Sequence, residues 1–204
     1  CPNLEASDAI AQAAIKLDDT IAKSCCGKDK RCTGNGDDQT LVDIRWNIGS
    51  CPNFENGTCT NQIVSATSVA SCLGCIGEAA VDQAIGLYYG SLHPSDPKTE
   101  KAVNRCQQTI GKAAATFLIA KSRALQKCWD TVSKGKASGL CPAADGKAQA
   151  AIDKAEVKKV DSICKACGGG GDKQPVDGRC DTASVLNPQT EIGFASQCPA
   201  VQVP

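Results

Sequence analysis

Cysteine constrains this chain more than any other residue. Fifteen cysteines are spread from position 1 to position 198 of its 204 residues. In a reducing cytosol such a set would be a metal-binding or catalytic anomaly, whereas in an oxidising compartment it is a disulfide framework. The expectation is a secreted, extracellular or cell-surface protein. No apolar run approaches the length of a transmembrane segment. The sequence opens on Cys1 rather than Met, as expected of a product whose export signal has been removed. An odd number of cysteines leaves one unpaired, and Cys1 is the candidate: an unpaired thiol, a lipid anchor, or an intermolecular bridge.

The clearest architectural signal lies between Thr99 and Gly168, where two Ala- and Lys-rich segments flank SKGKASGLCP. In the first, Val103, Cys106, Ile110, Ala113, Phe117, Ala124 and Cys128 recur mostly at three- and four-residue steps, an apolar helical stripe. Cys106 and Cys128 are about six turns apart, hence on one face and roughly 33 Å apart along the axis. Cys141 and Cys164 have nearly the same spacing. Folded into an antiparallel hairpin, the segments bring Cys128 to Cys141 near the turn. At the open end Cys106 meets Cys164, with Cys167 as the alternative. Aromatic residues are scarce and Met is absent, so Ala and short aliphatics must fill the core, which suits close-packed helices. The expected fold class is all-α: disulfide-stapled antiparallel helical hairpins or a bundle, with irregular cysteine-pinned loops.

Residues 1–52 and 141–199 read as two copies of one module. Each opens on Cys-Pro, at Cys1-Pro2 and Cys141-Pro142, with the proline expected in the first helical turn. Each continues through an Ala-rich helix to a cysteine pair and a glycine: Cys25-Cys26-Gly27 and Cys164-Lys-Ala-Cys167-Gly168. The glycine is expected to cap the helix in a left-handed conformation. A polar loop leads to Arg31-Cys32 or Arg179-Cys180, and each copy closes on Ile-Gly and another Cys-Pro. Five cysteines fall in matching order in each copy. The expected division is 1–58 for the first copy, 59–98 for a central helix, and 99–204 for the hairpin with the second copy. The central helix is placed at 60–90 with a break at Gly74 or Gly77, and Ser95 or Asp96 is the expected cap for the helix that follows. The first copy lacks a preceding helix with partners like Cys106 and Cys128. Its completion is expected from the central helix, through Cys59, Cys72 or Cys75, or from a neighbouring subunit.

Little in the sequence points to catalysis. Cys72-Leu-Gly-Cys75 and Cys164-Lys-Ala-Cys167 have the CxxC spacing of zinc and iron–sulfur sites. They lie within or at the C-terminal ends of predicted helices, where the dipole disfavours a thiolate, and neither is followed by the histidine of covalent haem attachment. Structural disulfides are the favoured reading, so no metal ligand, catalytic residue or cofactor is assigned. His93, the one histidine, is expected on an exposed loop. The glycine run 168–171 reads as a cap and connector, Asn35-Gly36-Asp37-Asp38 as a solvated turn, and Asn56-Gly57-Thr58 has the form of a glycosylation sequon. Trp46, Trp129, Tyr88 and Tyr89 are expected to plug the core around the helix ends. Formal net charge is zero, and no concentrated basic face is expected, so nucleic acid and anionic membranes are poor partners.

The Cys-Pro-bounded helices with a terminal Cys-Gly, together with the stretch 123–129 (RALQKCW), resemble a group of secreted cysteine-rich helical repeat proteins of bacteria with no known activity. The resemblance covers mainly residues 99–199, with an echo in 1–52. It implies location and architecture and transfers no site residues. The functional expectation is a non-enzymatic extracellular structural or interaction scaffold. It would be a self-assembling surface or filament subunit, partnered by its own copies or by another extracellular protein. The alternative is an extracellular ligand-, metal- or cofactor-binding module using the CxxC pairs.

Overall fold

The computed structural model describes residues 4–32, 36–53, 57–89, 92–168, 180, 186 and 188–193. Four helices carry the fold: α1 (Leu4–Cys25), α2 (Ala66–Tyr89), α3 (Lys101–Ser133) and α4 (Gly146–Gly168). A single π-helical turn, α5, spans Pro188–Ile192. No strand occurs among the described residues; isolated antiparallel bridges join Cys26 to Asp38 and Ser50 to Gln62. The fold is all-α and disulfide-stapled. The chain divides into two compact units, one holding Cys1–Gly86 and the other Leu87–Cys198.

In the first unit, α1 ends as its cysteine pair begins. Gly27 takes a left-handed φ of 54°, and the Lys28 amide donates to Asp37 Oδ2 at 3.0 Å, turning the chain. The segment before α2 is extended: the Cys51 amide donates to the Asn61 carbonyl at 2.9 Å and the Ile63 amide to the Gly49 carbonyl at 2.8 Å. This pairing keeps residues 60–65 out of the helix. Helix α2 starts where Ser65 and Ser68 cap each other: the Ser68 amide donates to Ser65 Oγ at 3.2 Å and the Ser65 amide to Ser68 Oγ at 2.9 Å. Contrary to expectation, α2 runs unbroken through Gly74 and Gly77. A Cβ at Gly74 would lie 4.0 Å from the Leu17 side chain of α1, an ordinary contact. The core here consists of Cys51, Cys59, Ile63, Val69 and Cys72, with Leu41 and Trp46 packed against it.

The second unit is the antiparallel hairpin of α3 and α4. The α3 residues Ala113, Ala114 and Ala124 are buried, as is Ala148 of α4, and small side chains let the two helices approach closely. The Cys141-Pro142 pair does not sit in the first turn of α4, as expected from sequence. It lies in a separate turn, and Asp145 starts the helix by accepting the Lys147 amide on Oδ1 at 3.0 Å. Helix α3 begins after Glu100, which makes no side-chain cap. Ser95 instead donates its hydroxyl to Gln107 Oε1 at 2.7 Å, and Asp96 Oδ1 accepts the Lys98 amide at 2.7 Å.

Gln107 is the buried polar side chain of this core. Its Nε2 donates to the carbonyls of His93 at 2.7 Å and Ile192 at 3.1 Å. One amide thus ties the loop before α3 and the turn α5 to the same helix face. Gln107→Ala leaves these buried acceptors without that donor, and stability is expected to fall by about 1–3 kcal/mol. Urea unfolding is the measurement, with amide exchange rising first around residues 92–96 and 190–193.

Candidate functional site

Six disulfides join described cysteines: Cys26–Cys32, Cys51–Cys72, Cys59–Cys75, Cys106–Cys167, Cys128–Cys141 and Cys164–Cys180. At the turn of the hairpin, Cys128 and Cys141 are bonded with a Cα separation of 5.9 Å. At its open end Cys106 is bonded to Cys167 and not to Cys164, correcting the first-named pairing. The reason is register. Residues 141–145 form a turn and contribute no helical rise. From the start of α4, Cys164 lies about 27 Å along the axis and Cys167 about 31 Å, against about 33 Å between Cys106 and Cys128 on α3. Cys164 also falls some 60° further round α4 and is bonded to Cys180 of the following loop.

These pairings engage all four CxxC sulfurs. Each of Cys72, Cys75, Cys164 and Cys167 bonds to a cysteine outside its own pair, which removes the thiolates that a metal site would need. Among the described residues no group of three or more His, Cys, Asp or Glu side chains could hold a metal ion. Cys51–Cys72 and Cys59–Cys75 show how the central helix is used: it is stapled to the closing Cys-Pro of the first copy and to the extended segment before α2, not to the cysteine pair ending α1. Cys25 is left as a half-buried free thiol. Its counterpart by repeat order, Cys164, is paired.

Cys1 and Cys198 lie outside the described residues, as do Asn56 of the sequon, Asn35 and the glycines 169–171. His93 is exposed on the loop before α3. Trp46 packs on the first core, but Trp129 is 44% exposed and does not plug a core. Tyr89 places its hydroxyl where a Cβ on Gly111 would be, so that glycine makes room for the ring. One carboxyl is perturbed. Asp43 is held below the usual carboxylate range, first by the Thr40 hydroxyl, which donates to its Oδ2 at 2.6 Å, and then by the Thr40 amide at 2.9 Å. It is solvent-exposed and serves a turn.

The neutral total charge conceals a split, and here too the sequence expectation is corrected. Residues up to Gly86 hold eleven acidic and six basic side chains, a formal −5; residues from Leu87 hold eleven acidic and sixteen basic, a formal +5. On α3, Lys101, Arg105, Lys112, Arg123 and Lys127 fall within an arc of about 80° at 100° per residue, and all five are exposed. Exposed Asp130 falls within the same arc, so the face is predominantly and not exclusively basic. In the first unit, α1 has no buried residue. Ile10, Ala13, Ala14 and Leu17 of α1 face Leu73 and Val81 of α2 across an apolar cleft of about 640 Å³.

Comparison with protein-family models, with curated proteins and with solved structures finds no match to this chain. The chemistry of the site must therefore be read from its own residues.

Two measurements check the sulfur assignments. Alkylation of the native, unreduced protein is expected to label Cys25 while leaving the twelve bonded cysteines unlabelled, as read by peptide mapping. Replacing Cys106 and Cys167 together by serine is expected to cost about 2–4 kcal/mol. Thermal melts of this variant should show loss at the open end of the hairpin, with the Cys128–Cys141 bond retained.

Proposed function

We propose that this protein is an extracellular scaffold: a disulfide-hardened helical subunit that assembles with its own copies on a surface or in a filament, and not an enzyme. The observation that supports this reading best is the placement of sulfur. Among the described residues the largest fully buried side chains are Cys26, Cys72, Cys106 and Cys128, and each of the three cores found there contains at least one disulfide. Six such bonds fit an oxidising, non-cytoplasmic compartment. No helix among the described residues is long and apolar enough to cross a membrane. A subunit whose cores are cross-linked keeps its shape under dilution and protease, which is what an exposed structural element requires. Secretion, repetition of the module and assembly belong to this proposal. Cys1 remains its candidate for a lipid anchor or an intersubunit bridge, and intact mass separates the two.

The binding-module alternative retains one observation in its favour, the apolar cleft between α1 and α2, which suits a small apolar ligand better than a metal. Native mass spectrometry, non-reducing peptide mapping and electron microscopy of the protein from its source test both readings. The scaffold reading expects the six pairings above, no bound metal, and ordered assemblies or oligomers. Free thiols at Cys72, Cys75, Cys164 and Cys167 with a stoichiometric metal would overturn it. A tightly retained apolar molecule on an otherwise monomeric chain would favour the binding module.

A further inference from the structure

We infer that copies of this chain associate head to tail, with α1 of one copy seated in the groove between α3 and α4 of the next. The inference rests on the self-assembling reading above and names the two surfaces that would carry it.

The groove runs along one side of the hairpin. Lys112 and Lys158 line one stretch of it, over a floor of Ala113, Phe117, Ala120 and Ala155. Lys127, Lys134, Lys136 and Lys147 line the adjoining stretch, over Ala124 and Ala151. Asp130 and Asp145 line it with them, so its lining is net basic and not uniformly so. The two stretches have volumes of about 500 and 760 Å³. On α4, Lys147, Lys154, Lys158 and Lys165 share an arc of about 40°. This arc and the basic face of α3 are therefore the two rims of one groove. Lys112, Lys127, Lys147 and Lys158 take part in none of the three ion pairs found among the described residues. Within the groove, Lys159 lies 4.6 Å from the centre of the Phe117 ring. The result is a small-residue trough with net basic walls, apolar around Phe117 and more polar toward the turn.

Helix α1 has the complementary shape and charge. Besides the stripe facing α2, it carries a second one: Leu4, Ala11, Ile15 and Ala22 fall within about 40° of arc. Leu4 is 85% exposed and Ile15 55%. Asp8 and Asp18 flank this stripe on opposite sides. From Leu4 to Ala22 it runs eighteen residues, about 27 Å, the same length as the groove from Thr109 to Lys127. An acidic amphipathic helix laid into a basic trough buries both apolar strips and pairs both rims. The occupant is assigned to a second copy because the chain carries equal and opposite charges on its two units. A generic polyanion would satisfy the lysines but leave Phe117 and the exposed stripe of α1 uncovered. The contact uses different patches on the two partners, so repeating it yields a ring or an open filament.

The test uses the full oxidised chain and two charge-reversed variants. Lys112→Glu with Lys158→Glu spoils the groove; Asp8→Lys with Asp18→Lys spoils the helix. All four positions are exposed, so circular dichroism and the non-reducing peptide map should match those of the starting protein. In sedimentation velocity at about 20 mM salt, the starting protein is expected to grow in mass with concentration. At about 0.5 M salt, where charges are screened within a few ångströms, association should weaken at least about tenfold. Each variant alone should remain a monomer. Mixed in equal amounts they should associate again, because the intact helix of one fits the intact groove of the other and the two reversed surfaces also carry opposite charges. If the starting protein assembles and both variants assemble equally well, this docking is overturned while the scaffold reading stands. If the starting protein stays monomeric at every concentration and salt, the docking and the self-assembly reading fall together. Two folded variants that fail to complement each other also overturn the docking.

Discussion

The disulfide bond between Cys106 and Cys167 closes the open end of a hairpin whose other end is closed by Cys128–Cys141, and the second unit depends on this pair of rungs. Helices α3 and α4 meet largely through alanine, which buries little apolar area per residue, so hydrophobic transfer alone gives a weak contact. Cross-linking both ends removes conformational freedom from the unfolded chain instead. The effect is greatest for long loops, and Cys106–Cys167 encloses a sequence separation of 61. Around that rung gather Ile192, Leu92, Ile110, Ile163 and Leu186. The bond thus organises the neighbouring loop and α5 as well as the two helices. Gln107, one residue along α3, completes the arrangement by satisfying carbonyls that the same packing buries.

Holding shape with sulfur and alanine has a consequence for the surface. Since large apolar side chains are not consumed by a conventional core, several remain outside: Leu4, Ile15, Leu118, Ile119 and Trp129 are all more than two-fifths exposed. Scattered singly, such residues would need no explanation. Here Leu4 and Ile15 fall on one stripe of α1 between aspartates, and the lysines of the hairpin line a groove of matching length. The proposed subunit role fits a rigid, cross-linked interior with an amphipathic exterior. Asp43, the one carboxyl with a clear shift among the described residues, is used in a turn with Thr40, and the CxxC sulfurs are spent on staples.

The two segments that the sequence reads as copies of one module fold unequally. The glycine of the Ile-Gly pair near the end of each has a similar positive φ, 84° at Gly49 and 91° at Gly193. Yet Ile192 is 2% exposed and Ile48 49%. In the second copy, α3 lies alongside to bury the isoleucine and receive Cys167. In the first copy Cys26 is bonded locally to Cys32, Cys25 keeps its thiol, and α1 buries none of its residues. The second segment is thus packed against α3 while the first leaves α1 exposed, and α1 is the helix proposed above for docking.

The residue pattern by itself determines the helical class, the hairpin of α3 and α4, the Cys128–Cys141 rung and the fit to an oxidising compartment. These follow from local periodicity and cysteine spacing, which act along a single element or a short turn. Tertiary structure decided which sulfur of the Cys164/Cys167 pair meets Cys106, because that depends on how many residues the turn at 141–145 withholds from the helix. It also decided that α2 staples to Cys51 and Cys59, that Trp129 faces outward, and that Asp145, not the Cys-Pro pair, starts α4. Above all it brought lysines of α3 and α4 onto the rims of one groove. A net charge of zero, read along the chain, hides this because charge acts through space, and only the fold says which residues share a face.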